Sequence, residues 1–157
     1  MKIQFWSIGK QHDSNVKNAI DDFTHRVSKY YTCSWKIISP AKQTANTLVN
    51  EIKKQESEKI LQLINKDDYL VLLDEKGKQF TSLTLASFIE QRAVHSTKNL
   101  IFLIGGAFGV DDILLTKANY VWKLSDLVFP HQIVRLILAE QIYRACTIIK
   151  NEKYHHI

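Results

Sequence analysis

A three-layer α/β sandwich around a mostly parallel sheet is predicted by three features of this chain. Short apolar runs alternate from end to end with longer stretches of helical spacing. Two of those runs, Tyr69-Leu-Val-Leu-Leu73 and Leu100-Ile-Phe-Leu-Ile104, are continuous apolar segments of the kind found in strands covered on both faces of a parallel sheet. The length of 157 residues suits one domain, 1–157, and no linker, repeat or break in composition divides it.

Each element follows from local pattern. Lys2–Ile8 alternates apolar and polar residues and reads as a strand. Residues 15–31 place Val16, Ile20, Phe23, Val27 and Tyr30 on one helical face, with Asp13 or Ser14 available as a cap. Trp35–Ile38 reads as a short strand. After a polar loop, residues 47–64 form a second helix with Leu48, Ile52, Ile60 and Leu63 inward. Its run of Glu51, Lys53, Lys54, Glu56, Glu58 and Lys59 reads as a solvated face. Residues 69–73 are a buried strand, residues 74–78 a turn, and residues 82–93 a helix burying Leu85, Phe88 and Ile89. Leu100–Ile104 is the next strand, Asp111 or Asp112 caps a short helix, and residues 120–124 are the last strand. The final helix, from His131 to about residue 151, is apolar nearly all round and is expected to be covered inside the chain or by a second copy.

Composition narrows the partners. Hydrophobic residues make up 45% and charged residues 24%, as in a globular chain. A formal charge of +5 and a pI near 9.1 give an electrostatic reason to approach a polyanion, yet no Lys/Arg block or aromatic RNA-binding motif is present. A basic surface must then be assembled by folding or by pairing two copies. Cys33 and Cys146 form neither a Cys-x-x-Cys pair nor a disulfide framework, which suits a reducing compartment. The first residues resemble a strand more than a signal peptide, and no apolar run approaches the ~20 residues of a membrane span. The expected location is the cytoplasm.

Parallel sheets bind ligands beyond the carboxyl ends of their strands. The loops after Leu73, Ile104 and Leu124 occupy that position, and Gly105, Gly106 and Gly109 let the backbone approach a ligand closely. Gly105-Gly106-x-x-Gly109 is neither a dinucleotide fingerprint nor a P-loop. Asp126 stands where a ribose-binding acid could fall. Glu140 and Arg144 have the spacing of a stabilising helix pair. His155-His156 lacks a carboxylate at ligand spacing, so no metal is expected. No nucleophile is marked. Two classes stay open on these features alone: a small nucleotide-binding enzyme, from the glycine loop and Asp126, and a non-catalytic dimeric RNA- or ribosome-binding protein, from the charge and the missing nucleophile.

Taken together, Phe102-Leu-Ile-Gly-Gly-Ala-Phe-Gly109, Leu124-Ser125, Phe129-Pro130-His131-Gln132, Arg135, Glu140-Gln141, Tyr143-Arg144-Ala145 and Tyr154-His155 resemble the bacterial RlmH family of SPOUT-class methyltransferases. The length, the opening strand and Leu72-Leu73-Asp74…Gly77 fit as well. The resemblance implies a C-terminal trefoil knot, an exception to the rule against knots, and a homodimer with the last helix at its interface. It implies S-adenosylmethionine as co-substrate, held by Leu72 or Leu73, Gly105, Gly106 and the loop of Leu124, Ser125, Asp126, Leu127, Val128, Phe129 and Pro130. The implied reaction is methylation of N3 of pseudouridine 1915 (customary numbering) in helix 69 of 23S rRNA within the assembled 70S ribosome. Glu140, Arg144, Tyr154 and His155 are the implied catalytic group, with Glu140 or His155 as base. His131, Arg135, Arg144 and His156 are the expected RNA contacts. Many relatives carry a lysine or arginine after the terminal Tyr-His. His156 and then Ile157 stand there instead, which exchanges a constant charge for a titrating one.

Overall fold

In the computed structural model, which describes residues 1–156, five strands alternate with five helices. The strands are β1 (Lys2–Ile8), β2 (Thr32–Ile38), β3 (Asp68–Lys78), β4 (Asn99–Ile104) and β5 (Tyr120–Trp122). The helices are α1 (Ser14–Val27), α2 (Val49–Leu63), α3 (Ser82–Val94), α4 (Asp112–Lys117) and α5 (His131–Ile149). The sheet runs β2-β1-β4-β3-β5, and every pairing is parallel.

Strand period two sorts the side chains onto two faces. Ile3 and Phe5 of β1, Val71 of β3 and Leu100 and Phe102 of β4 face the layer made by α1, α3 and α5, whose Val27, Leu85, Ile89, Leu138 and Ile142 close that core. Trp6, Ile8, Leu70, Leu72, Ile101 and Leu103 face the opposite layer, where Ile60 of α2 and Leu114 of α4 meet them. The predicted three layers are present. Both central strands are covered on two faces, which is why their apolar runs do not alternate.

Helix starts follow their caps. Thr81 accepts from the Thr84 amide at 3.1 Å, and Thr84 Oγ1 accepts from the Thr81 amide at 2.8 Å, a reciprocal box that opens α3. Asp111 Oδ1 accepts from the Leu114 amide at 3.1 Å and opens α4. Asp13 precedes α1 without a side-chain cap bond; its amide donates to Gln132 Oε1 at 3.0 Å and ties the start of α1 to α5.

The segment after Leu73 differs from expectation. Residues 74–78 continue β3 instead of turning. Asp74 Oδ1 accepts from the Lys76 amide at 2.9 Å and kinks the strand, so Trp122 partners both Leu73 and Lys78. Gly77 permits this path, because a Cβ there would lie 2.4 Å from the Val121 carbonyl oxygen. The α2 charge run also differs from a wholly solvated face: Glu56 and Ser57 are buried, while Leu48, expected inward, is exposed. No helix among the described residues is long and apolar enough to cross a membrane.

Candidate active site

The kinked second half of β3 and the loops that follow β4 and β5 converge at one edge of the sheet to form a cleft of about 390 Å³. Leu73 to Lys76 form one side, Ile104 to Val110 the second, and Lys123 to Ser125 plus Leu127 to Phe129 the third, with His131 and Val134 of α5 and Lys53 of α2 completing the wall. The glycine loop closes through a bridge between Gly106 and Gly109, in which the Gly109 amide donates to the Gly106 carbonyl at 3.0 Å. Gly109 takes a φ of 81°, the left-handed region glycine adopts without penalty. A Cβ on Gly105 would lie 2.9 Å from Val110 Cγ1, and one on Gly106 would lie 2.2 Å from Glu56 Oε2. The cradle therefore has no room for side chains at either position. Ser125 Oγ accepts from the Leu127 amide at 2.9 Å and shapes the third loop. A second cavity of about 260 Å³ shares Leu124, Ser125 and Phe129 with the cleft and extends to Gln141.

Most residues expected at the cofactor line this cleft: Leu73, Gly105, Gly106, Leu124, Ser125, Leu127, Val128 and Phe129. Three do not. Leu72 points away into the core beside α2. Asp126 pairs with Lys123 and is exposed outside the lining. Pro130 caps α5 and lies outside the lining. Lys53, Lys123 and Val134 of the wall carry no shared sequence signal, since they are scattered over α2, the exit of β5 and α5.

His131 belongs to the cleft wall, and its pKa is held below the usual histidine value, first by burial and then by the Arg135 cation. Arg135 is 1% exposed. Its Nε donates to Ser7 Oγ at 3.0 Å, and Nη1 donates to the Lys10 carbonyl at 2.9 Å and lies 3.2 Å from His12 Nδ1. The RNA contact expected of Arg135 is therefore corrected: its guanidinium is consumed in joining α5 to the exit of β1. Gln132 Nε2 strengthens that joint by donating to the Gln11 carbonyl at 3.2 Å.

The second half of α5 and the terminal segment hold a separate cluster. Glu140 Oε1 accepts from Arg144 Nη2 at 2.5 Å and from the Tyr154 hydroxyl at 3.1 Å, while Glu140 Oε2 accepts from Gln141 Nε2 at 2.6 Å. The Arg144 guanidinium stacks 4.8 Å above the Tyr154 ring, and its Nη1 lies 3.5 Å from His155 Nδ1. Burial, then the bond to Glu140, raises the Tyr154 pKa, so that hydroxyl stays protonated as a donor. With both oxygens engaged, Glu140 is built to orient Arg144 and Tyr154. His156 is exposed. Along the helix, Glu140 and Arg144 stand ~14 and ~20 Å beyond His131, so a single chain keeps this cluster apart from the cleft. No group of three His, Cys, Asp or Glu side chains able to hold a metal occurs among the described residues.

A glycine-lined cleft at the edge of a parallel sheet, walled by the start of the last helix, is the place where α/β proteins of this kind take small ligands. The family described as "Predicted SPOUT methyltransferase" matches residues 1–155. A protein of Cytophaga hutchinsonii named Ribosomal RNA large subunit methyltransferase H is 43% identical, covering 99% of this chain and all of its own length. The protein of the same name from Parabacteroides distasonis is 39% identical over 99% of both chains. A solved structure titled as a probable methylase family protein from Haemophilus influenzae superposes with a TM-score of 0.56 over 99% of this chain and 70% of that one, at 11% identity, a likeness of fold alone. The chain belongs to the SPOUT methyltransferase family.

Proposed function

We propose that this protein transfers a methyl group from S-adenosylmethionine to N3 of pseudouridine 1915 in helix 69 of 23S rRNA, acting as a cytoplasmic homodimer on the assembled 70S ribosome. The observation that carries the reading is the cleft. Its backbone cradle at Gly105 and Gly106 excludes side chains, and its volume suits a nucleoside-sized ligand. S-adenosylmethionine fits it, and when bound supplies a methyl carbon on a sulfonium for in-line displacement. Leu73, the glycine loop and Leu124, Ser125, Leu127, Val128 and Phe129 would hold it. The trefoil threading of the C-terminal part belongs to the same reading.

The chain's own contribution is placement and charge. Bringing two reactants into attack geometry accounts for much of the barrier reduction in such transfers. The N3 proton must leave as the N–C bond forms. Arg144, held by Glu140 and stacked on Tyr154, is the cation that favours the resulting negative charge on the base. His155, whose contact with Arg144 is long at 3.5 Å, is the group left to take the proton, directly or through water. His156 contacts the RNA backbone.

The decisive experiment incubates the protein with tritiated S-adenosylmethionine and 70S ribosomes lacking the modification, with free 23S rRNA alongside. Label on one pseudouridine of the 70S sample is the expected result. A folded protein that labels neither sample refutes the assignment.

A further inference from the structure

Beneath the glycine loop lies a carboxyl group with no part in the reaction just described. Glu56 sits four residues after Ile52 and four before Ile60, on the buried stripe of α2, and is 4% exposed. Its Oε1 accepts from the Ala41 amide at 3.1 Å. Its Oε2 has no hydrogen-bond partner among the described residues. That oxygen would lie 2.2 Å from a Cβ on Gly106, so the carboxylate rests directly against the loop backbone that forms the cleft wall. Its neighbours tie the same helix to the same region. Lys53, one turn earlier, lines the cleft, and buried Ser57 accepts from the Asp111 amide at 3.3 Å where the loop ends.

An unpaired carboxyl oxygen in a protein interior is costly, and an apolar residue of the same volume would remove that cost. The Ala41 bond does not explain it, because a glutamine would make that bond equally well. What a carboxyl can supply there and a glutamine cannot is negative potential on the far side of Gly106, in surroundings of low dielectric where it is weakly screened. We infer that Glu56 is a positioning residue that fixes Gly106 and, set against Lys53, Lys76 and Lys123 of the same wall, favours the sulfonium donor over the uncharged thioether product. This inference rests on the proposed donor. Transfer removes the positive charge from sulfur, so the same carboxylate that favours the donor does not retain the product.

Calorimetric titration of the full chain with S-adenosylmethionine, S-adenosylhomocysteine and the cationic analogue sinefungin tests this, using native protein, Glu56→Gln and Glu56→Asp. Native protein is expected to bind both cations more tightly than the thioether. Glu56→Gln, which keeps the acceptor for Ala41 and loses the charge, is expected to weaken S-adenosylmethionine about tenfold and the thioether less than threefold. Glu56→Asp is expected to retain the preference even where its affinities fall. Equal effects on donor and product in Glu56→Gln, or no effect on either, overturn the role. The native measurement does not depend on a variant folding: equal affinity for the donor, sinefungin and the thioether also overturns it. Native protein that binds none of the three overturns the proposed donor itself, which is a distinguishable failure.

Discussion

His131 shows how a single side chain can be tuned by what surrounds it. Burial and then the Arg135 cation both push its pKa below 6.5, so at neutral pH the cleft wall presents an uncharged imidazole to its ligand. Protonation would set a cation beside a cationic donor. Affinity for S-adenosylmethionine is therefore expected to be flat above pH 7 and to weaken as pH falls below 6.5 toward the lowered value. His131→Asn should abolish that dependence, and titrations between pH 5.5 and 8 read it directly. Stability carries the same sign. The unfolded chain takes up the proton near 6.5 while the folded chain resists it, so this contribution is complete above 6.5 and is lost as pH falls toward the folded value. His12 acts in the same direction, through burial first and Arg135 second. Arg135, buried between the two histidines and Ser7, is thus an electrostatic anchor, and its place within a largely apolar helix is explained from inside the fold.

At the scale of elements, the glycine loop and α2 make one unit. Gly106→Ala would drive a Cβ into a carboxylate held on a packed helix stripe, with an expected loss of about 2 kcal/mol in stability and more than tenfold in cofactor affinity. Gly109→Ala meets no protein atom within 4 Å and carries the strain of a φ of 81°, about 1 kcal/mol in stability, with any loss of affinity arising from its Cβ in the cleft lining. Urea unfolding and titration of both variants separate the two causes. How far such details were legible in the sequence depended on whether pattern alone determines them. The continuous apolar runs announced β3 and β4, and the glycines announced the cleft. Glu56 stands in a charge run that reads as a solvated face, although its spacing from Ile52 and Ile60 places it on the inward stripe. Gly77 was read as a turn signal, whereas here it marks backbone passing close to backbone, a distinction that requires knowing that β5 lies alongside. The burial of Arg135 had no local sign, since its partners Ser7, Lys10 and His12 lie more than 120 residues away.

At the scale of the whole molecule, the proposed reaction must join a cleft and a cluster that one chain keeps apart, and a second copy would do so. Within one chain, the cleft meets α5 at His131 and Val134, while Arg144 stands ~20 Å from His131 along the helix axis. Ile133, Ile137, Glu140 and Arg144 follow one another at helical spacing on a partly exposed face, so a partner seated there meets apolar residues and the cluster together. Two-fold pairing through α5, as proposed, would offer each cleft the Arg144 and His155 of the other chain. A heterodimer of differently tagged Gly106→Ala and Arg144→Ala chains tests this arrangement. In a shared site, one of its two clefts has an intact cradle and receives an intact Arg144 from the partner, so the heterodimer should recover roughly half of native turnover while each homodimeric variant stays near background. Were each site built within one chain, both sites of the heterodimer would carry a defect and turnover would remain at background. A monomer in sedimentation at micromolar concentration would remove the premise, and methyl transfer would then require the ribosome itself to bridge the cleft and the cluster.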